Sequence, residues 1–93
     1  VCSARGFMFA LGCIQALQCN ENTCPTGITT HDPKLQKGLD PTVKANRVAN
    51  YAISMREEVE LIAHSCGVLE PHKLGPQHAY LVDPRGQPTP LSQ

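Results

Sequence analysis

The sequence predicts a mostly α-helical chain, in which an irregular cysteine loop joins two helices and a weakly β-structured tail follows. An uncharged run that is apolar on nearly every side occupies residues 7–17. Apolar residues also recur over residues 48–66 with the period of an α-helix. Between these two stretches, three cysteines fall within residues 13–24, a density that indicates a chemical role.

The first element is a turn followed by a helix. Ser3-Ala4-Arg5-Gly6 predicts the turn, and the run from Phe7 to Leu17 predicts a buried helix because it is apolar on nearly every side. Cys13 would then lie near the end of a rigid element. A helix N-terminus beside an arginine can bind phosphate. The alternative is an ordinary junction at which Arg5 only meets solvent.

The cysteine loop reads Cys-x5-Cys-x4-Cys-Pro, from Cys13 through Cys19 and Cys24 to Pro25. Thiolates are soft ligands that suit zinc or iron–sulfur clusters. Disulfides are the competing use, but they take cysteines in pairs and need an oxidising compartment. A proline directly after the last cysteine is typical of ferredoxin cluster loops. Polar residues at positions 20–23 favour turns and left-handed backbone.

Three thiols leave three interpretations of the loop open. A cluster of the 3Fe–4S type needs only three protein ligands, whereas a 4Fe–4S cluster usually has four. Structural zinc is normally four-coordinate, so it would need one more ligand. The loop could also hold no metal in the isolated chain. The fourth zinc ligand would be His31, His64 or Cys66.

A long helix is predicted over residues 41–66. Asp40 is a good N-cap, Pro41 suits the first helical position, and Gly67 can close the helix in a left-handed C-cap. Its apolar stripe is expected to pack against protein, with Arg56 and Glu60 toward water, and part of it is expected to be bare in the segment alone. A coiled-coil seam is the alternative. The stripe, at spacings of 4, 3, 4, 3 and 4, consists of Val48, Ala52, Met55, Val59, Ile62 and Cys66.

The remaining segments are short. Asp32-Pro33 predicts a turn, and residues 34–39 a polar connector. Ala79–Val82 and Gln87–Leu91 predict two strands around the turn Asp83–Gly86, and the prolines of the second limit it to an edge. We expect the C-terminal end to fray.

Composition excludes several functional classes. Eight basic and eight acidic residues give no net charge, which argues against nucleic acid or an anionic membrane as partner. Five cysteines and no signal-peptide pattern predict a cytoplasmic protein with reduced thiols. Cys2 and Cys66 lie outside the motif and are expected to be small buried hydrophobes. The histidines share no catalytic spacing, so no catalytic residue is assigned.

The cysteine loop and its continuation, Thr26-Gly27-Ile28-Thr29-Thr30-His31-Asp32-Pro33, resemble the cluster loop of the glutamate synthase family. Residues 3–12 also resemble the exit loop and helix after the last barrel strand in the FMN-binding members. The resemblance covers roughly residues 1–66. The family commonly has Ala-Thr-Gln-Asp at positions 29–32, and it often has histidine at Asn20. Neither departure touches a thiol.

This resemblance implies a C-terminal fragment of a TIM (β/α)8 barrel, which fits a chain that starts without Met. Val1-Cys2 would end the last barrel strand. Residues 1–66 would end the FMN-binding barrel domain, with the Fe–S loop at 13–25 and a terminal helix at 41–66. Residues 67–93 would be a C-terminal extension.

The resemblance also implies the cofactors and their ligands. A 3Fe–4S cluster would be held by Cys13, Cys19 and Cys24. One edge of the FMN phosphate site would be formed by Ser3, Ala4, Arg5 and Gly6.

The implied function is a part of a glutamate synthase-type oxidoreductase. Such a flavoprotein converts 2-oxoglutarate to glutamate by reductive amination through FMN, with glutamine or ammonia as nitrogen source. Ferredoxin or NAD(P)H would donate the electrons. The segment alone is expected to be inactive, because it lacks the substrate-binding barrel. The alternative is a small Cys-rich Fe–S or zinc-binding interaction module without catalysis.

Overall fold

The computed structural model describes residues 2–93. Of the expected strand end at Val1-Cys2, Val1 lies outside the described residues, and Cys2 is not in a strand. The chain is mostly helical with one small antiparallel sheet, as predicted. Residues Val1–Ser54 and Met55–Gln93 form two compact units. The elements are helices α1 (Arg5–Ala10), α2 (Pro33–Gln36) and α3 (Pro41–Ser65), 3-10 turns at Pro71–Lys73 and Pro76–His78, and strands β1 (Tyr80–Val82) and β2 (Pro88–Pro90).

Helix α1 is shorter than the apolar run predicted. It ends at Ala10, and Gly12 follows in the left-handed region with φ of 104°. Gln15 and Leu17 also have positive φ, 57° each, which is incompatible with a right-handed helix. Cys13 therefore lies in the loop and not on a helix, so that prediction was wrong. Hydrophobicity alone could not detect these left-handed positions.

This first helix is not buried within the described residues, because the segment alone gives it too little to pack against. None of its residues is fully buried, and Phe9 is 44 % exposed. The physical reason is that its packing is limited. The ring of Phe7 meets Tyr51 of α3 edge-on, with 4.9 Å between centroids. The Tyr51 hydroxyl lies 2.9 Å from Ser3 Oγ, and a Cβ on Gly6 would overlap the Tyr51 phenol. The absence of a side chain at Gly6 therefore leaves room for the Tyr51 phenol.

The segment after the cysteine loop forms a helical turn in place of a plain connector. The Asp32 carboxylate accepts the Lys34 N–H at 2.8 Å, and Pro33 occupies the first turn of α2. Gly27 packs against this turn. It is buried, its φ is 81°, and a Cβ there would overlap the carbonyl oxygen of Leu35.

Helix α3 has the predicted bounds and caps. Asp40 Oδ1 accepts the Thr42 N–H at 3.0 Å, and Pro41 is the first helical residue. The C-terminus closes in a Schellman arrangement around Gly67, whose φ is 78°. The Gly67 N–H donates to His64 O at 2.9 Å, and the Val68 N–H donates to Ala63 O at 3.1 Å.

The apolar stripe of α3 is only partly covered. Val48, Ala52, Met55 and Val59 are half-buried, as the periodicity predicted. Ile62 is 58 % exposed, however, and the buried residue of this last turn is Ala63. The C-terminal part of the stripe is thus uncovered within the described residues, as expected for the segment alone.

Arg56 on the polar side of α3 and the two cysteines outside the motif are exposed to solvent. Arg56 is exposed as predicted and pairs with the half-exposed Glu60 at 3.1 Å. Cys2 and Cys66 are both exposed, so the expectation that they are buried was wrong. Neither residue has enough chain packed over it to exclude water.

The second unit carries the predicted hairpin. Strand β1 pairs antiparallel with β2, with Leu81 opposite Thr89. Asp83 organises the turn: its Oδ1 accepts the N–H groups of Arg85 and Gln87, both at 2.8 Å. Gly86 completes the turn with φ of 81°. Within residues 2–93, no helix combines the length and apolar character needed to cross a membrane.

Candidate functional site

The three cysteines of the motif line one concavity on the first unit, with a volume of about 450 Å³. Cys13 reaches it from the end of the α1 segment, Cys19 from the middle of the loop and Cys24 from its far side. Arg5 at the start of α1 lines the same concavity. Much of the remaining wall is apolar and comes from Met8, Phe9, Ile14, Ala16, Leu17 and Pro25. The fold thus brings four sequence-predicted site residues to one depression.

The sulfur of Cys24 has the most developed polar environment. Thr26 Oγ1 lies 3.3 Å from Cys24 Sγ. This side-chain hydrogen bond, then the N–H of Thr29 and, more weakly, those of Thr26 and Ile28, lower the pKa of the Cys24 thiol to about 6 against an opposing effect of partial burial. These contacts favour the thiolate, which is the form that binds metals.

The other two thiols are held more loosely. Cys13 Sγ accepts the N–H of Gln15 at 3.4 Å, a contact made possible by the left-handed backbone at Gln15. Cys19 is exposed at the tip of the loop. Within residues 2–93, no three His, Cys, Asp or Glu side chains are grouped closely enough to hold a metal ion.

A buried threonine ties the loop to the segment that follows it. Thr30 is 8 % exposed, and its Oγ1 donates to Asn22 O at 2.8 Å and accepts the Asp32 N–H at 3.0 Å. The Asn22 side chain accepts the His31 N–H at 2.6 Å, and Asn22 itself has φ of 60°. This Asn22–Thr30 latch fixes the path of the chain between Cys19 and Cys24.

Neither Thr26 nor Thr30 was identified from the sequence. The polar stretch at residues 20–23 did predict left-handed backbone, and Asn22 confirms it. Nothing in the spacing of the cysteines indicated which hydroxyl would reach which sulfur. Thr26 directly follows the Cys-Pro pair, and that proximity to a thiol was the available signal.

The residues considered as a fourth zinc ligand lie in three places. His31 lines a second concavity of about 360 Å³, which it shares with Cys19 and Thr29. His64 is on α3 and its Nε2 lies 3.2 Å from the carbonyl oxygen of Leu69. Cys66 is exposed beyond the end of that helix.

The residues predicted to bind phosphate divide into two groups. Ser3 and Gly6 are engaged with Tyr51, through the Oγ hydrogen bond and the close approach of the phenol. Ala4 is the N-cap residue of α1, and no side chain caps the helix there. Arg5 is exposed and lines the cysteine concavity. Arg5 therefore lines the same concavity as the thiols, while Ser3 and Gly6 contact Tyr51.

Comparisons with known proteins support the resemblance to the glutamate synthase family. Residues 1–69 match the sequence family described as the conserved region in glutamate synthase. Over 75 residues the chain is 49 % identical to the glutamate synthase large subunit-like protein YerD of Bacillus subtilis (strain 168), covering 81 % of this chain and 14 % of that protein. Over 61 residues it is 39 % identical to the archaeal glutamate synthase (NADPH) of Methanocaldococcus jannaschii, covering 66 % and 12 %.

A eukaryotic relative is similar over the same region. The glutamate synthase (NADH) of Schizosaccharomyces pombe is 38 % identical over 60 residues, which is 64 % of this chain and 3 % of that protein. The chain thus spans between 3 % and 14 % of the length of these three relatives. No solved structure matches it significantly. The matched residues 1–69 contain α1, the cysteine loop and all of α3, and on this evidence the chain belongs to the glutamate synthase family.

Proposed function

We propose that this chain is one segment of a glutamate synthase-type oxidoreductase, and that Cys13, Cys19 and Cys24 hold a 3Fe–4S electron-transfer cluster in it. The full protein would convert 2-oxoglutarate to glutamate by reductive amination through FMN. The observation that carries the proposal is the concavity that all three motif cysteines line, in a chain of this family.

The three thiols are not grouped closely enough for a single metal ion, but a cluster of several irons is larger and takes its thiols from farther apart around one concavity. Three thiols match the three irons of a 3Fe–4S cluster, and no fourth protein ligand is required. The hydroxyl of Thr26 and the N–H groups beside Cys24 offset the negative charge of a bound thiolate. Apolar side chains such as Met8 and Phe9 limit the access of water. When bound, the cluster supplies one-electron transfer between the electron donor and the flavin.

The flavin phosphate would be bound at the edge formed by Ser3, Ala4, Arg5 and Gly6. Arg5 is the cation of this segment, and its guanidinium can bind phosphate through two hydrogen bonds. The first N–H groups of α1 have no partner within the helix and no side-chain cap, so they remain able to donate. Because Arg5 also lines the cysteine concavity, the two cofactors would share one wall.

The wider assignment follows the family. Residues 1–66 would end an FMN-binding TIM-barrel domain, with the Fe–S loop at 13–25 and the terminal helix at 41–66, and residues 67–93 would extend it. The barrel would bind 2-oxoglutarate, and glutamine or ammonia would supply nitrogen. Ferredoxin or NAD(P)H would donate the electrons.

The test is the metal content and electron paramagnetic resonance of the complete protein, purified without oxygen. Cys19→Ser should abolish the cluster signal and lower bound iron and sulfide, because it removes one of three ligands. Cys66→Ser is the matched control, since Cys66 is an exposed thiol outside the motif. A signal that survives Cys19→Ser but disappears in Cys66→Ser would contradict the ligand assignment. Zinc in place of iron would instead support the interaction-module alternative.

A further inference from the structure

The turn from Cys24 to Thr29 encloses one sulfur and leaves the other two more open. Thr26 Oγ1 is 3.3 Å from Cys24 Sγ, within hydrogen-bonding distance. Cys13 Sγ accepts one N–H, from Gln15 at 3.4 Å. The surroundings of the three thiols are therefore unequal.

Packing holds this turn in place. The Gly27 N–H donates to Cys24 O at 3.2 Å, and Gly27 lies in the left-handed region with φ of 81°. The backbone of α2 approaches Gly27 so closely that a Cβ would overlap Leu35 O. Because these contacts are between backbone atoms, the Thr26 hydroxyl is carried on a rigid frame.

The direction of the Thr26 hydrogen bond follows from chemistry. A thiol could donate to the hydroxyl, but a sulfur bound to iron has no proton to give. The Thr26 hydroxyl would then be the donor, and the Cys24 thiolate would accept. A donor to a ligating sulfur stabilises the state with more negative charge, and hydrogen bonds to the sulfurs are among the factors that set a cluster's potential.

We propose that Thr26 is a positioning residue whose hydroxyl raises the reduction potential of the cluster through Cys24. This rests on the proposed function, because it requires a cluster on the three cysteines. The cluster gains one electron on reduction, and that electron comes from the protein's donor or, in the assay, from dithionite. The added negative charge falls partly on the Cys24 sulfur, where the hydroxyl proton lies closest.

The proposal is tested by titrating the cluster signal of the complete protein against applied potential. Thr26→Val keeps the shape of the side chain and removes the donor. It should shift the ratio of reduced to oxidised cluster about tenfold toward the oxidised form at a fixed potential. For a one-electron couple, a tenfold shift is a midpoint lower by about 59 mV.

Two variants control this measurement. Thr26→Ser restores the hydroxyl and should restore the midpoint. Thr23→Val removes a hydroxyl from the same loop, where it donates to Gln18 Oε1 at 3.0 Å and touches no thiol, so it should leave the midpoint unchanged. Thr26→Ala is measured as well, in case valine disturbs the turn.

The possible outcomes distinguish failure of the proposed function from failure of the proposal about Thr26. A wild-type protein without a cluster would overturn the proposed function, and this proposal with it. A cluster whose midpoint is the same in wild type and Thr26→Val would overturn this proposal alone. An equal shift of the midpoint in Thr23→Val would also overturn this proposal. The shift would then come from a disturbed loop and not from loss of the hydrogen bond between Thr26 and Cys24. If neither Thr26→Val nor Thr26→Ala holds iron, Thr26 is required for assembly, and the tuning role is wrong.

Discussion

Replacing Gly27 with alanine should open the turn that encloses the Cys24 sulfur. Gly27 has φ of 81°, where an L-residue with a Cβ is disfavoured by about 1–2 kcal/mol. The new methyl would also overlap Leu35 O and lie 3.1 Å from the backbone nitrogen of Leu39. Forcing extra carbon into a packed site typically costs about 1–3 kcal/mol. Together these effects destabilise the turn by roughly 2–5 kcal/mol.

Amide hydrogen exchange measures this opening locally. A cost of roughly 2–5 kcal/mol raises the opening equilibrium, and hence the exchange rate, by about thirtyfold to several thousandfold. The informative amides are those of Gly27, which donates to Cys24 O, and Gln36, which donates to Asp32 O at 2.9 Å. In the Gly27→Ala protein, the alanine amide at position 27 is measured in place of the Gly27 amide.

The matched control is Gly86→Ala. Gly86 has the same φ of 81°, but a Cβ there meets no atom within 4 Å. It should therefore show the conformational cost alone, about 1–2 kcal/mol, and only in its hairpin. If exchange around position 27 accelerates no more than exchange around position 86, the close contact with Leu35 is not the cause, and the reasoning from packing is refuted.

Two further predictions concern the ends of helices. Arg5→Ala should weaken FMN binding by the complete protein about tenfold to several hundredfold, from a lost charge-assisted hydrogen bond and a disturbed helix end. An unchanged dissociation constant would remove Arg5 from the flavin site. Asp40→Ala should destabilise the start of α3 by about 0.5–2 kcal/mol, because the Thr42 N–H loses its acceptor at 3.0 Å. Circular dichroism during urea unfolding measures this loss, Asp40→Asn should retain most of the stability, and equal stability of all three proteins would contradict a capping role.

Elements with strong local signals could be predicted from sequence. For α3, the Asp40-Pro41 start and the left-handed Gly67 both have a local physical cause, and both ends were located correctly. The hairpin was found for the same reason, since Asp83 and Gly86 form a turn that needs no distant partner. The cysteine spacing likewise identified three residues that line one concavity.

Predictions failed where a distant contact or a backbone angle decides the structure. The run from Phe7 to Leu17 has a helical composition, yet Gln15 and Leu17 adopt left-handed angles that composition does not encode. The stripe on α3 predicted that Ile62 would face protein, whereas Ile62 is 58 % exposed and the buried residue of that turn is Ala63. Tyr51 approaches Gly6 although the two residues are 45 positions apart in the chain, and no local sequence pattern predicts this contact.

Within the site, too, local sequence signals could be predicted, whereas contacts between distant residues could not. The cysteines are recognisable from spacing because a metal group requires thiols, but the environment of each thiol is made by residues that follow the motif. Thr30 reaches back to Asn22, and Leu35 confines Gly27. A loop with the three cysteines but without residues 26–36 would keep the ligands and lose the hydrogen bonds at Cys24. The sequence up to Pro25 therefore supplies the three proposed ligand atoms, and the following segment supplies the hydrogen bond that stabilises negative charge on one of them, Cys24 Sγ.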